Sequence, residues 1–208
     1  MPLSIYSGLE EALTEIVRRR PCAVLDAGIG FGLWGHLLRQ YLDVWSGRET
    51  REQWKCRIDG IELVETRVQP HSRWLYTEVI VGDIRDVVPR RAREVAYDVI
   101  LYGDVLEHLA KPEALSLLDT SVSLATSAVV VRIPFGAGWR GKGRIGPDHH
   151  RSRWTYDDFA RYPCTIRIHD FMGLSYGLVV IDCRARAIAV LEANLSAVEA
   201  RLCALEAS

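Results

Sequence analysis

The run Val24-Leu25-Asp26-Ala27-Gly28-Ile29-Gly30-Phe31-Gly32 constrains this chain more than any other. Apolar residues lead into an acid, three alternate glycines follow, and the helical pattern GLWGHLLRQYL comes directly after. That order predicts a strand, a tight loop and a helix, the first half of a βαβ unit. The glycines admit positive φ and let a ligand approach the backbone closely. Asp26 stands where it can hold a cationic amine or organise the loop amides.

The alternation continues along the chain. Ile5, Leu9, Leu13, Ile16 and Val17 recur at three- and four-residue steps and predict an amphipathic helix over 5–19, which Pro21 ends. RIDGIEL, EVIVGDI and AVVVRIP read as strands, YDVILYGDVLEHL passes from strand into helix, and a further helix is expected near 112–126. CTIRIHDF and LSYGLVVIDC, separated by Met172 and Gly173, suit an antiparallel hairpin at a sheet edge. The expected fold is α/β, a doubly wound, mostly parallel sheet with helices on both faces and ligand sites beyond the carboxyl ends of the strands. With 208 residues, 49% hydrophobic and 25% charged, one core is expected, over residues 1–183. A formal charge of −1 provides no global field toward nucleic acid or an anionic bilayer. Five scattered cysteines without a CxxC pair predict reduced thiols, and no apolar run reaches bilayer length, so a cytoplasmic protein without membrane contact is expected.

Acids recur at the ends of the strands. Glu62, beside Leu63, ends the second, where a carboxylate can accept hydrogen bonds from both hydroxyls of a ribose. Asp83 ends the third, where it can accept from an adenine amine while Ile84 covers the ring, and Asp104 follows the fourth. Together with Asp26, this layout suits a ligand with an amine, a ribose, an adenine and a positive centre but no phosphate: S-adenosyl-L-methionine. Gly30-x-Gly32-x-x-Gly35 also satisfies the dinucleotide fingerprint, but its first glycine lies several residues past the strand and Asp26 would oppose a phosphate. A nicotinamide enzyme is therefore disfavoured.

On LDAGIGFG, GIEL, VGDI and YDVILYGDVLEHL, in that order, the chain resembles the class I S-adenosylmethionine-dependent methyltransferases over residues 22–134, and more loosely to 183. The resemblance implies a Rossmann-like, seven-stranded sheet whose last strand inserts antiparallel. It also implies that Asp26, Gly28 and Gly30 cradle the methionine part of the cofactor, Glu62 binds the ribose, and Asp83 with Ile84 the adenine. Tyr102, Gly103 and Asp104 would then face the substrate. The connector SGRETREQWKCR departs from the family pattern. WG and YLD after the glycines, with HRSRWTYDDF, also look like poorly characterised bacterial methyltransferase-domain proteins, a likeness that brings no substrate.

Methyl transfer needs alignment and, for a hydroxyl or amine acceptor, a base. Asp104, Glu107 and His108, at i, i+3 and i+4, are expected on one face of a first helical turn, with His108 as the candidate base. The string also resembles the acid-x-x-Glu-His of the ubiquinone-pathway O-methyltransferases and the small-RNA 2′-O-methyltransferases, which bind magnesium; Asp104 stands in place of their first glutamate, and His149 and His150 are available as further ligands. A metal on Glu107 and His108 is the less favoured alternative to a string that merely caps or packs its helix. Between Trp139 and Trp154 the chain concentrates Arg140, Lys142, Arg144, Arg151 and Arg153 with His149 and His150 against a single acid, Asp148. This stretch is expected to hold a small anionic acceptor through arginine forks, with Trp154 stacking on it or anchoring the loop. Hydroxyl acceptors, such as those of a sugar or a carboxylated metabolite, are favoured because no Asn-Pro-Pro-Tyr-like string follows the fourth strand. Over 184–208, Ile188, Leu191, Leu195, Val198, Leu202 and Leu205 form an a/d seam with Glu192, Glu199 and Glu206 at e and Arg201 at g. This C-terminal helix either pairs two copies through residues 188–205 or packs on its own domain. The rival from another class is an inactive cofactor-binding protein that uses this tail as a scaffold.

Overall fold

The computed structural model describes residues 5–139, 146–188 and 192. Its elements follow in the order α1 (Leu9–Arg18), β1 (Ala23–Ala27), α2 (Leu33–Leu42), β2 (Arg57–Glu62), α3 (Pro70–Leu75), β3 (Glu78–Val81), α4 (Ile84–Glu94), β4 (Val99–Gly103), α5 (Lys111–Leu124), β5 (Ala128–Pro134), β6 (Cys164–Phe171) and β7 (Leu174–Asp182). The sheet order is β3-β2-β1-β4-β5-β7-β6. The strands β1 to β5 pair in parallel, and β7 lies antiparallel between β5 and β6. The expected hairpin is therefore present, with its second strand inserted into the sheet rather than added to its edge.

Strand alternation sends successive side chains to opposite faces, and each face is filled by helices. Val24, Ile58, Leu101 and Val130 pack with Ile16 of α1 and Trp34 and Leu38 of α2. Leu25, Ile100, Val129 and Val131 pack with Val88 of α4 and Leu117 and Leu118 of α5. The strand order reverses between β1 and β4, where Leu25 pairs with Asp59 on one side and Ile100 on the other. A crevice must open there, because the loops after β1 and β4 leave toward opposite faces.

One expectation changes. The stretch from Asp104 to His108 is not the first turn of an α-helix: Asp104 has φ of 58°, and Leu106–His108 forms a single 3₁₀ turn. The helix restarts at Lys111 because Pro112 has no N–H to bond the carbonyl of His108, so the ladder cannot run through. Of the tail, residues 184–188 are helical and Ile188 is exposed, while Leu191, Leu195, Val198, Leu202 and Leu205 lie outside the described residues.

The unusual connector is pinned by one buried acid. Asp43, fully buried just after α2, accepts hydrogen bonds from Arg39, from Nε of Arg48 at 2.7 Å and from the amide of Lys55 at 2.8 Å. Burial alone would raise its carboxyl, but the Lys55 amide and the Arg48 and Arg39 guanidinium groups outweigh that and hold it below its usual range. Asp43→Ala would leave Arg39 buried without its counter-charge. A loss of about 3–5 kcal/mol is expected in urea unfolding, with the midpoint shifted and the slope retained.

Candidate active site

Beyond the carboxyl ends of β1 to β5 lies a cavity of about 630 Å³. Its floor is the glycine loop. Gly28, at φ 119°, packs so closely under Val105 that a Cβ would stand 2.5 Å from that side chain, and a Cβ on Gly103 would stand 2.3 Å from Nε1 of Trp34. Both positions require glycine for space, and Gly28 also for its backbone conformation.

Glu62 holds the loop to the end of β2. Its Oε2 accepts the amide of Gly30 at 2.9 Å, its Oε1 accepts the amide of Val64 at 2.9 Å, and Nη1 of Arg67 lies 3.8 Å from Oε1. Asp83 caps α4 and is forked by Arg85, whose guanidinium holds the carboxyl below its usual range; Arg85 also binds Glu113 at 2.7 Å. Asp104 accepts the hydroxyl of Tyr176, and the wholly buried Arg132 lies 3.9 Å from its Oδ2. Arg132 also donates to the carbonyls of Ile5 and Ser7, so it joins the N-terminal segment to the cavity wall.

Glu107 is buried beside Asp104, and burial and that negative charge push its carboxyl well above the carboxylate range. His108 lines the cavity. Burial lowers its pKa, so the ring is neutral at pH 7, and its Nδ1 lies 3.3 Å from the carbonyl of His149. A proton on Nδ1 would leave Nε2 as the acceptor. The His150 ring stands edge-on at 5.2 Å from that of His108, and Glu107, His108 and His150 each bring a ligand atom within 4.8 Å of the others. Three such groups at that spacing can hold a divalent cation.

Of the residues expected from sequence, Gly28, Gly30, Glu62, Leu63, Asp83, Ile84, Gly103, Asp104, Glu107, His108, His150 and Arg151 line this cavity. Asp26 does not. It is fully buried, and its Oδ2 accepts the hydroxyl of Tyr76, which in turn accepts the amide of Gly35 at 2.8 Å. Burial, only partly offset by Tyr76, raises its pKa to about 7. Tyr102 turns into the core against Ser121. Trp154 is an anchor rather than a stacking platform: it is wholly buried beside Phe159, with Lys111 3.8 Å over its ring. His149 contributes only its carbonyl to His108, Arg153 is exposed and off the cavity, and Arg140 lies outside the described residues. Sequence reasoning missed Tyr76, Arg132 and Arg67. Only Arg132 left a signal, a charge inside the apolar strand AVVVRIP.

The chain matches no protein-family model and no curated protein. Among solved structures it is similar to magnesium protoporphyrin IX methyltransferase from Synechocystis PCC 6803 with bound SAH, at 15% identity and TM-score 0.57, covering 84% of this chain and 83% of that one. It is likewise similar to 1,6-didemethyltoxoflavin-N1-methyltransferase from Burkholderia thailandensis, at 15% identity and TM-score 0.57, covering 84% and 77%. The methyltransferase domain of a bacterial Hen1 matches at 15% identity and TM-score 0.53, covering 84% and 96%. These likenesses establish the Rossmann-like methyltransferase fold. No described helix is long and apolar enough to cross a membrane.

The buried Asp26 has a consequence for stability. Its folded pKa of about 7 stands above the ordinary 3.8, so the folded chain holds the extra proton between those values. This group's contribution to stability therefore falls as pH rises across that window and is constant above it. Asp26→Asn removes the effect. The variant's unfolding free energy, relative to the wild type's, should rise from pH 4 to about pH 7 and level off above it in denaturant titrations of the protein without added ligand.

Proposed function

We propose that this chain transfers a methyl group from S-adenosyl-L-methionine to a hydroxyl of a small polar acceptor that carries a negative charge. The observation that carries this reading is the convergence of Glu62, Asp83 and Asp104 from three strand ends on one cavity floored by the glycine loop. The cations beside them are already committed, Arg67 to Asp148 and Arg85 to Asp83 and Glu113, so the adenosyl side offers little to a pyrophosphate. The residues fit the cofactor on three counts. Asp26 keeps a buried Oδ1 without a hydrogen-bond partner behind the loop, Gly28 leaves the backbone open to close approach, and 630 Å³ falls within the usual range of about 300–1,000 Å³ for small-molecule sites.

When bound, the cofactor supplies an electrophilic methyl group on a sulfonium. The chain does the rest. Glu62 would accept from the ribose hydroxyls and Asp83 from the adenine amine, Asp26 would favour the ammonium, and Ile84 and Leu63 would cover the adenosine. His108 would take the acceptor's proton on Nε2 while Nδ1–H stays on the His149 carbonyl. Arg151 lines the cavity and has no carboxylate within ion-pair distance among the described residues, which leaves its guanidinium for the acceptor's anionic group. Its amide donates to the Glu107 carbonyl at 2.7 Å, which holds the residue at the cavity rim.

A second reading, metal-assisted 2′-O-methylation of an RNA, is favoured by one observation, the Glu107, His108 and His150 cluster. In this reading His150 would be the third ligand.

Calorimetric titration with S-adenosylmethionine, S-adenosylhomocysteine and NAD should give micromolar binding of the two adenosyl ligands and none of NAD. Glu62→Gln should weaken that binding about 10- to 100-fold; binding of NAD alone would sink the reading. With an acceptor found among sugars and carboxylated metabolites, His108→Gln should lower kcat about 100-fold at unchanged cofactor affinity. The acid limb of wild-type kcat should lie below pH 6.5, because burial lowers the His108 pKa from that value. Activity indifferent to chelator and to added magnesium would exclude the metal reading, whereas full activity in His108→Gln would exclude the base.

A further inference from the structure

Residues 146–152 run along the cavity mouth, and Pro147, Asp148, His150 and Arg151 form part of its wall. The two sides of the segment are fastened differently. On the side of β4, the amides of Arg151 and Ser152 donate to the carbonyl of Glu107 at 2.7 and 3.1 Å, and Oγ of Ser152 lies 3.3 Å from the carbonyl of Leu106. On the side of β2, among the described residues, one side-chain pair holds it: Nη2 of Arg67 donates to Oδ2 of Asp148 at 2.9 Å.

Arg67 is placed for this by the 3₁₀ turn Glu65–Arg67, whose last amide returns to the carbonyl of Val64 at 2.9 Å. Only Leu63 and Val64 separate the turn from Glu62, so a single guanidinium faces both the Glu62 carboxylate and Asp148. Each of Arg67 and Asp148 is 20% exposed. A pair that wet is strong enough to bias the position of a segment and weak enough to break on the time scale of ligand exchange. The backbone bonds to Glu107 are not of that kind, since breaking them would strip buried carbonyl groups of their partners.

We propose that Arg67 is a positioning residue that clasps Asp148 across the mouth of the cavity, and that breaking this pair is the step that admits the adenosyl ligand and releases it. The proposal rests on the cofactor assignment above. The Glu107 side acts as the fixed edge of the segment and the Arg67 side as its release. A pair that must open for either passage slows entry and exit alike. It therefore acts on both rate constants by the same factor and leaves their ratio in place.

That symmetry separates a clasp from a residue that merely supports the fold. The probe is S-adenosylhomocysteine, followed by stopped-flow fluorescence of Trp34 and Trp139, which line the cavity. Asp148→Asn should raise the association and dissociation rate constants together, about five-fold, with Kd unchanged within about two-fold. Raising ionic strength should speed both rates in the wild type and have little effect on Asp148→Asn. Arg67→Lys, which keeps the charge, should restore most of the slow exchange that Arg67→Gln loses. Wild-type rates in Asp148→Asn, or a weakened Kd with unchanged association, would overturn the clasp while leaving the cofactor assignment intact. Failure of the wild type to bind S-adenosylhomocysteine would overturn the assignment and the clasp with it.

Discussion

The carboxylate of Glu62 is the joint on which the site depends. It accepts one amide from the glycine loop and one from the chain leaving β2, and it faces a guanidinium that reaches the far wall. Two backbone segments and one side chain thus meet on one charged group. Charge-assisted hydrogen bonds of this kind are shorter and stronger than neutral ones, so they fix the glycine loop against the end of β2. A preformed loop spares a ligand the entropy of ordering it.

Bringing several acids to neighbouring strand ends would be costly if all were charged and bare. The structure distributes the cost by giving each a different environment. Asp83 is forked by Arg85, Asp104 is held by Tyr176 and lies near buried Arg132, and Glu107 is pushed toward its neutral form. Asp26, behind the loop, is held by the Tyr76 hydroxyl, and burial raises its pKa to about 7. The site is poised by unequal burial more than by the number of its charges.

Much of this is legible in the sequence. The glycine loop, the acids at strand ends and the closing hairpin are local patterns, and local patterns survive into the fold because strand alternation and turn stereochemistry act over a few residues. The differences lie where residues outside the motif decide. DVLEH carries helical spacing, yet Pro112 confines it to a 3₁₀ turn, and Glu107, His108 and His150 come together through the path of the chain from 146 to 152. Trp154 looked equally fit to stack or to anchor; Phe159 and Lys111, brought over it by the fold, make it an anchor.

By itself the sequence determined the α/β alternation, the floor of the cavity and the acids around it, because each depends on residues adjacent in the chain. Only the tertiary structure decided which side chains complete the site. Tyr76 under Asp26, Arg132 beside Asp104 and Arg67 between Glu62 and Asp148 are all joined across long stretches of chain. No spacing encodes such pairs, since they exist only once a parallel sheet has laid distant strand ends side by side and excluded the water that would otherwise solvate each charge.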